Sequence, residues 1–238
     1  SAGTVSCWGE NGSGQLGNGG TTDSATPVQV PGLTGVAAVS AGEAHTCARL
    51  SAGTIFCWGE NGSGQLGNGT ASDSSSPVVV SNITSATSIW AGGSHTCAVL
   101  SDKRVTCWGE NGSAQLGNGT VIDAITPITA GGEDNLVLTV SDGKTVTAGG
   151  SHSCVFRTTN DLYCWGANGS GQLGDGSPPI SVEPVLLPGL AGSVVASVKA
   201  GRNHTCVVIT DGSMKCLGDN VDGQLGWQYH QHRSANAG

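Results

Sequence analysis

The sequence predicts an all-β chain folded as a β-propeller of four-stranded blades, because it combines a composition built for turns, a repeat of about fifty residues and a hairpin signature inside the repeat. The composition comes first. Forty Gly and 8 Pro make up about a fifth of the 238 residues, while 37% are hydrophobic and only 11% charged. Glycine weakens helix interiors and serves turns, so a helical bundle is excluded. The formal charge of −8, with no cluster of Lys and Arg to neutralise phosphates, argues against nucleic acid as a partner. No apolar run approaches the ~20 residues that span a bilayer, so membrane insertion is not expected. The opening Ser-Ala-Gly-Thr is neither a start Met nor a signal peptide, which reads either as a removed export signal or as a piece of something longer.

The repeat is carried by three strings. Cys-Trp-Gly-Glu-Asn-Gly-Ser-Gly-Gln-Leu-Gly-Asn-Gly occupies residues 7–19, recurs at 57–69 and returns at 107–119 with Ala114 for one glycine. Looser copies run from Cys164 to Gly176 and from Cys216 to Gly226. Ala-Gly-x-x-His-[Thr/Ser]-Cys precedes four of these copies, at 41–47, 91–97, 148–154 and 200–206. Pro-Val-x-Val or a relative begins at Pro27, Pro77, Pro127 and Pro184. Four short runs of strand formers per unit, divided by Gly-rich turns, favour a propeller over a solenoid.

Within a unit, Cys47–Leu50 and Thr54–Cys57 are strand-forming runs separated by Ser51-Ala52-Gly53, and a three-residue loop containing Gly is a hairpin signal. Antiparallel pairing around such loops sets Cys47 opposite Cys57, Cys97 opposite Cys107, Cys154 opposite Cys164 and Cys206 opposite Cys216. Opposed residues of a non-hydrogen-bonded pair lie within reach of a disulfide. Four cross-strand disulfides are therefore expected, each worth roughly 2.5 to 3 kcal/mol through loop closure. The alternative is reduced pairs facing across hairpins; zinc is disfavoured by the lack of Cys-x-x-Cys spacing. Such disulfides persist in secreted, periplasmic or cell-surface proteins, so an extracytoplasmic location is expected.

Taken together, these strings resemble the repeat of the regulator of chromosome condensation family over essentially all of residues 1–226. The resemblance implies that each repeat forms a four-stranded propeller blade, usually in a propeller of seven. About five blades are visible in this chain: a partial blade 1–40, blades 41–90, 91–147 and 148–199, a partial blade 200–226, and a tail 227–238. Cys7 holds the second-strand position of its hairpin, which puts its partner before residue 1. Upstream chain is therefore expected, with Cys7 free or paired between molecules.

Candidate chemistry meets a structural reading at each point. His45, His95, His152 and His204 recur at one place in the motif, which suits repeat-specific hydrogen bonding better than a shared metal. Trp8, Trp58, Trp108 and Trp165 are expected to pack between blades with their indole N–H groups satisfied locally; the fifth copy has Leu217 there. The glycine strings lack the Lys and the following helix of a phosphate loop and read as turns needing positive φ. Glu10, Glu60 and Glu110 could face Asp23, Asp73 and Asp123, but an active site needs one constellation rather than three copies. No catalytic residue, cofactor or metal is assigned, and the chain is expected not to be an enzyme. Eight Asn-x-Ser/Thr sequons, among them Asn11, Asn61, Asn82 and Asn111, read as turns first. His230 and His232 read as part of a terminal tail.

The residues that differ between repeats follow each Gln-Leu-Gly turn: Thr21–Thr26, Ala71–Ser76, Val121–Thr126 and Ser177–Glu183. Gly131–Lys144 holds the extra length of the third repeat. A rigid frame with unlike loops is the plan of a binding module. The candidate partner-binding residues are Val121, Ile122, Asp123, Glu133, Asp134 and Asn135, and the expected partner is another protein. Three functions compete: extracytoplasmic protein binding, as secreted relatives of the family do; a structural place in a larger surface or membrane-associated assembly, which the ends and the unusual tail fit; and the family's guanine-nucleotide exchange on a small GTPase, against which the hairpin disulfides and the missing basic tail speak.

Overall fold

A computed structural model describes residues 3–130, 143–157, 159–176, 179–188, 190 and 193–226. These form seventeen strands and no helix. Strands β1 (Ser6–Gly9) and β2 (Ser24–Gln29) make a two-stranded sheet. Three four-stranded sheets follow: β3 (Val36–Ala41), β4 (His45–Leu50), β5 (Ile55–Gly59) and β6 (Ser74–Val79); β7 (Ala86–Ala91), β8 (His95–Leu100), β9 (Val105–Gly109) and β10 (Ala124–Thr129); β11 (Gly143–Ala148), β12 (His152–Arg157), β13 (Leu162–Ala167) and β14 (Ile180–Leu186). The last sheet holds β15 (Val195–Ala200), β16 (His204–Ile209) and β17 (Met214–Gly218). Every sheet is an antiparallel meander in chain order, and β7, β11 and β15 each pack on the first two strands of the sheet before. This is the β-propeller expected from the sequence, in five successive blades.

Burial follows a strand's place in its blade. The second strands β8 and β12 are buried over five consecutive residues, because blades cover both faces, so they show no period-2 alternation. The fourth strands β2, β6 and β10 are only half covered, and Pro27, Pro77, Pro127 and Pro184 each stand in one of the four outermost strands β2, β6, β10 and β14. Proline cannot donate to a ladder, so the outer edge resists pairing with a further strand.

The cores lie between blades. Trp58 packs with Val5, Val30 and Leu33, which flank the strands of the preceding sheet; Trp108 with Ile55 and Leu66; Trp165 with Val105 and Leu116. Trp8 departs from the expectation at 62% exposed, since no sheet precedes its own among the described residues. The blade boundaries also shift. The Ala-Gly-x-x-His motif starts at the last residue of β3, β7, β11 and β15, so units cut at 41, 91, 148 and 200 sever each blade's first strand from the rest of its sheet. The motif marks the invariant turn after that strand, whereas the strand's own sequence varies and gives no signal.

The hairpins take the form read from the sequence. Gly53, Lys103, Asn160 and Gly212 hold the same loop position at φ +90°, +73°, +73° and +88°, the left-handed conformation that a three-residue hairpin requires. Cys47 sits directly opposite Cys57, and the same register recurs in the next three hairpins. Four disulfides join these pairs across Cα separations of 4.0 to 4.1 Å, while Cys7 is free. Cys7 is half-buried, and burial raises its thiol pKa. Alkylation of the denatured, unreduced protein should therefore label one cysteine per chain, and mass mapping should place it at Cys7. Labelling of nine would mean that the hairpin cysteines are reduced.

Candidate functional site

Strand ends define two faces. Gly59 pairs with both His45 and Ser74, and Ala41 pairs with Thr46. The turn 42–44 and the long loop 60–73 therefore share one end of their blade, and each repeat brings its equivalents to that end.

The repeated polar residues on this face hold the blades to one another. The Gln65 carbonyl accepts from Trp108 Nε1 at 2.9 Å and Thr96 Oγ1 at 3.0 Å, both on the next blade. Gln15 receives Trp58 and Thr46 in the same way, and Gln115 receives Trp165 and Ser153. The indole donors thus cross to the preceding blade rather than closing locally. Gln172 receives Thr205, and with Leu217 in place of Trp it loses the second donor. The hydroxyls also meet histidine: His45 Nε2 lies 2.9 Å from Thr96 Oγ1, His95 Nε2 2.9 Å from Ser153 Oγ and His152 Nε2 2.9 Å from Thr205 Oγ1. Each hydroxyl proton goes to a glutamine carbonyl, so the hydroxyl oxygen accepts from imidazole Nε2–H. That fixes the neutral tautomer, with Nδ1 buried and without a hydrogen-bond partner. Nδ1 faces glycine: a Cβ at Gly42, Gly92 or Gly149 would stand 2.3 to 2.4 Å from the ring Cε1. Burial pushes the imidazole pKa down to about 4 at His45 and His152 and to about 3 at His95.

The loop itself is built on a buried asparagine. Asn61 Oδ1 accepts from Leu66 N, its Nδ2 donates to the carbonyls of Thr70 and Ser72, and its backbone N–H donates to Asp73 Oδ1. Asn11 and Asn111 repeat the pattern. Their amide nitrogens are thereby closed to glycosylation in the folded chain, whereas Asn82 is exposed. Glu60 and Glu110 each accept from a glutamine side chain, Gln65 and Gln115. Glu60 and Glu110, like the three Asp, thus each hold a hydrogen bond within their own loop.

The candidate binding residues divide. Val121 and Ile122 project at 53% and 72% exposure, while Asp123 accepts from Asn111 N at 2.7 Å, as Asp23 and Asp73 do in their own loops. Glu133, Asp134 and Asn135 lie outside the described residues, as do His230 and His232. Ile125, Ile180 and Val182, which lie within the variable stretches Val121–Thr126 and Ser177–Glu183 but were not singled out as contact residues, are also exposed. Their signal was apolar type at outer-strand positions held by polar or small residues in the first two repeats.

A model of the regulator of chromosome condensation (RCC1) repeat matches residues 2–49, 52–99 and 160–208, and a second model of that repeat matches 36–65, 86–115, 144–172 and 195–224. The chain belongs to the RCC1 repeat family. Human Protein RCC2 is 40% identical over 85 residues, 35% of this chain and 16% of that protein. The mouse X-linked retinitis pigmentosa GTPase regulator is 36% identical over 81 residues, 34% of this chain and 8% of that protein. Among solved structures, human WBSCR16 superposes with a TM-score of 0.78 at 22% identity, covering 92% of this chain and 58% of that one. Yeast RCC1 (Prp20), solved bound to Kap60, gives 0.77 at 22% identity, with 92% and 52% covered. This RCC1-repeat chain therefore spans little more than half of those two propellers, and the likeness to them is one of fold.

Proposed function

We propose that this RCC1-repeat chain is a non-enzymatic, extracytoplasmic protein-binding module that selects its partner through the loops after the Gln-Leu-Gly turns. One observation carries the reading. The repeated His, Asn, Gln and Trp residues direct their polar atoms into blade joints and loop frames, which leaves the unlike loop residues to discriminate between partners. The regular hairpin disulfides support extracytoplasmic placement. Yeast Prp20, a structural relative, is described in complex with Kap60 and with binding to Gsp1p and histones, which supports a protein as the class of partner.

Guanine-nucleotide exchange is the competing reading, favoured by the relative named as a GTPase regulator. The test has two arms. Selection of displayed protein fragments on the immobilised chain should recover binders. In parallel, nucleotide release from small GTPases should stay within about twofold of the intrinsic rate; acceleration by a factor of ten, about 1.4 kcal/mol of barrier, would replace the binding reading with exchange.

A further inference from the structure

The loop face is uneven in both polarity and charge. Equivalent positions in successive blades read Thr21-Thr22, Ala71-Ser72 and then Val121-Ile122. A second equivalent position reaches back to the preceding blade: Gly19 N donates to Ser75 O, Gly69 N to Ile125 O and Gly119 N to Val182 O. There too the side chain turns from polar to apolar: Ile125, against the loop that carries Gly64 and Gly69, is 45% exposed and Val182 39%, with Ile180 at 42% two residues before Val182 on β14. The Gly119–Val182 bond of 3.0 Å brings Val182 next to the loop that carries Val121 and Ile122. One apolar patch results, made by Val121 and Ile122 with Val182 and Ile180 of β14 and centred where the second and third four-stranded sheets meet, on a face whose earlier loops are polar.

Charge around the patch is one-sided. Loops 10–23, 60–73 and 110–123 each open on Glu and close on Asp; turn 42–44 adds Glu43, loop 167–176 Asp175, and loop 219–226 Asp219 and Asp222. Among the described loops of this face the one basic residue is Arg202, with its guanidinium 3.8 Å from Glu43. The acids share a field: partial burial together with Asp123, Glu60 and Glu43 holds the Glu110 carboxyl above its usual range. The opposite face, at the hairpin tips, mixes Lys103, Arg104 and Arg157 with Asp102, Asp161 and Asp211.

We infer that the patch formed by Val121, Ile122, Ile180 and Val182 is a docking surface for a protein segment that presents apolar side chains flanked by Lys or Arg. This rests on the protein-binding reading above and gives it a location and a partner chemistry. The apolar centre supplies the desolvated contact that dominates interface energy, and the acidic surround steers a cationic partner and repels anionic ones. Nucleic acid and anionic membrane are disfavoured by the same field.

The test extends the fragment selection with the variant V121T/I122T, which installs the Thr-Thr pair the first repeat already carries, so its fold should survive; an unchanged near-ultraviolet circular dichroism spectrum and melting curve would verify that. Recovered segments should combine apolar residues with Lys or Arg and bind the variant at least about tenfold more weakly, a difference of about 1.4 kcal/mol. Their affinity should also fall several-fold between about 0.15 M and about 1 M salt, where the Debye length shrinks from about 8 to about 3 Å. Segments that bind wild type and variant equally, or that are acidic or indifferent to salt, would overturn this surface while leaving the protein-binding reading in place. Recovery of no segment at all would overturn both.

Discussion

Stability should collapse between pH 6.5 and pH 4, with up to three protons taken up on unfolding. His45, His95 and His152 are buried and neutral, their folded-state values pushed to about 4, 3 and 4 by burial, with His45 and His152 adding to the effect at His95. In the unfolded chain they titrate near 6.5. A depressed histidine favours the fold fully above its unfolded value. Below it, the unfolded state binds protons that the folded state refuses, so stability falls with pH until the folded value is reached. Three such groups can remove about 4 kcal/mol per pH unit, against a typical total of about 5 to 15 kcal/mol. Acid also weakens the exposed turns where Arg104 and Ser213 hold Asp102 and Asp211 below the usual carboxylate range, whereas the raised value of the partly buried Glu110 acts in the opposite direction; the two Asp are well solvated and contribute less. Urea titrations from pH 8 to pH 4 measure the slope. His95→Gln, which keeps a donor toward Ser153, should lower it by about one proton; a midpoint unchanged between pH 7 and pH 5 would refute the buried neutral imidazoles.

Asn111→Ala should cost about 4 kcal/mol. It removes the acceptor of Leu116 N–H and the donor to the carbonyls of Thr120 and Ile122, in a side chain with no exposed surface. Each buried polar group left unpaired costs about 1 to 3 kcal/mol. Asn111→Asp should be no milder, because it keeps the acceptor but turns a carboxylate oxygen toward two carbonyls. Denaturant midpoints of both variants against wild type give the values, and a loss below about 1 kcal/mol for Asp would mean that the loop does not depend on this amide.

How far each feature could be read from the sequence depended on the distance between the groups involved. The Cys47–Cys57 register lay within one hairpin and followed from a three-residue loop. The glycine turns likewise declared themselves, even where Ala114 takes φ +63° in place of glycine. The joint was legible only in part. His45 could be read as structural because it recurs, but its partner Thr96 stands fifty-one residues away in the next repeat, and a pattern read within one repeat cannot reveal a bond between two. The Trp58 indole was misread for the same reason, since its acceptor is Gln15 of the preceding blade. Val121 and Ile122 stood out as unlike residues, yet Val182 joined them only once the Gly119–Val182 bond had set two loops side by side.

The glutamine carbonyl that takes a Trp and a hydroxyl from the blade that follows bears on how such a chain can grow. Donor and acceptor belong to the invariant part of the repeat, so each blade offers its successor the same socket and its predecessor the same plug. A unit of about fifty residues can then be duplicated, deleted or moved without new complementarity having to arise at either border, while the loop after its Gln-Leu-Gly turn is free to drift. Blade number and binding specificity become separately heritable traits. Leu217, which has abandoned the indole, marks where one socket has already been left half filled.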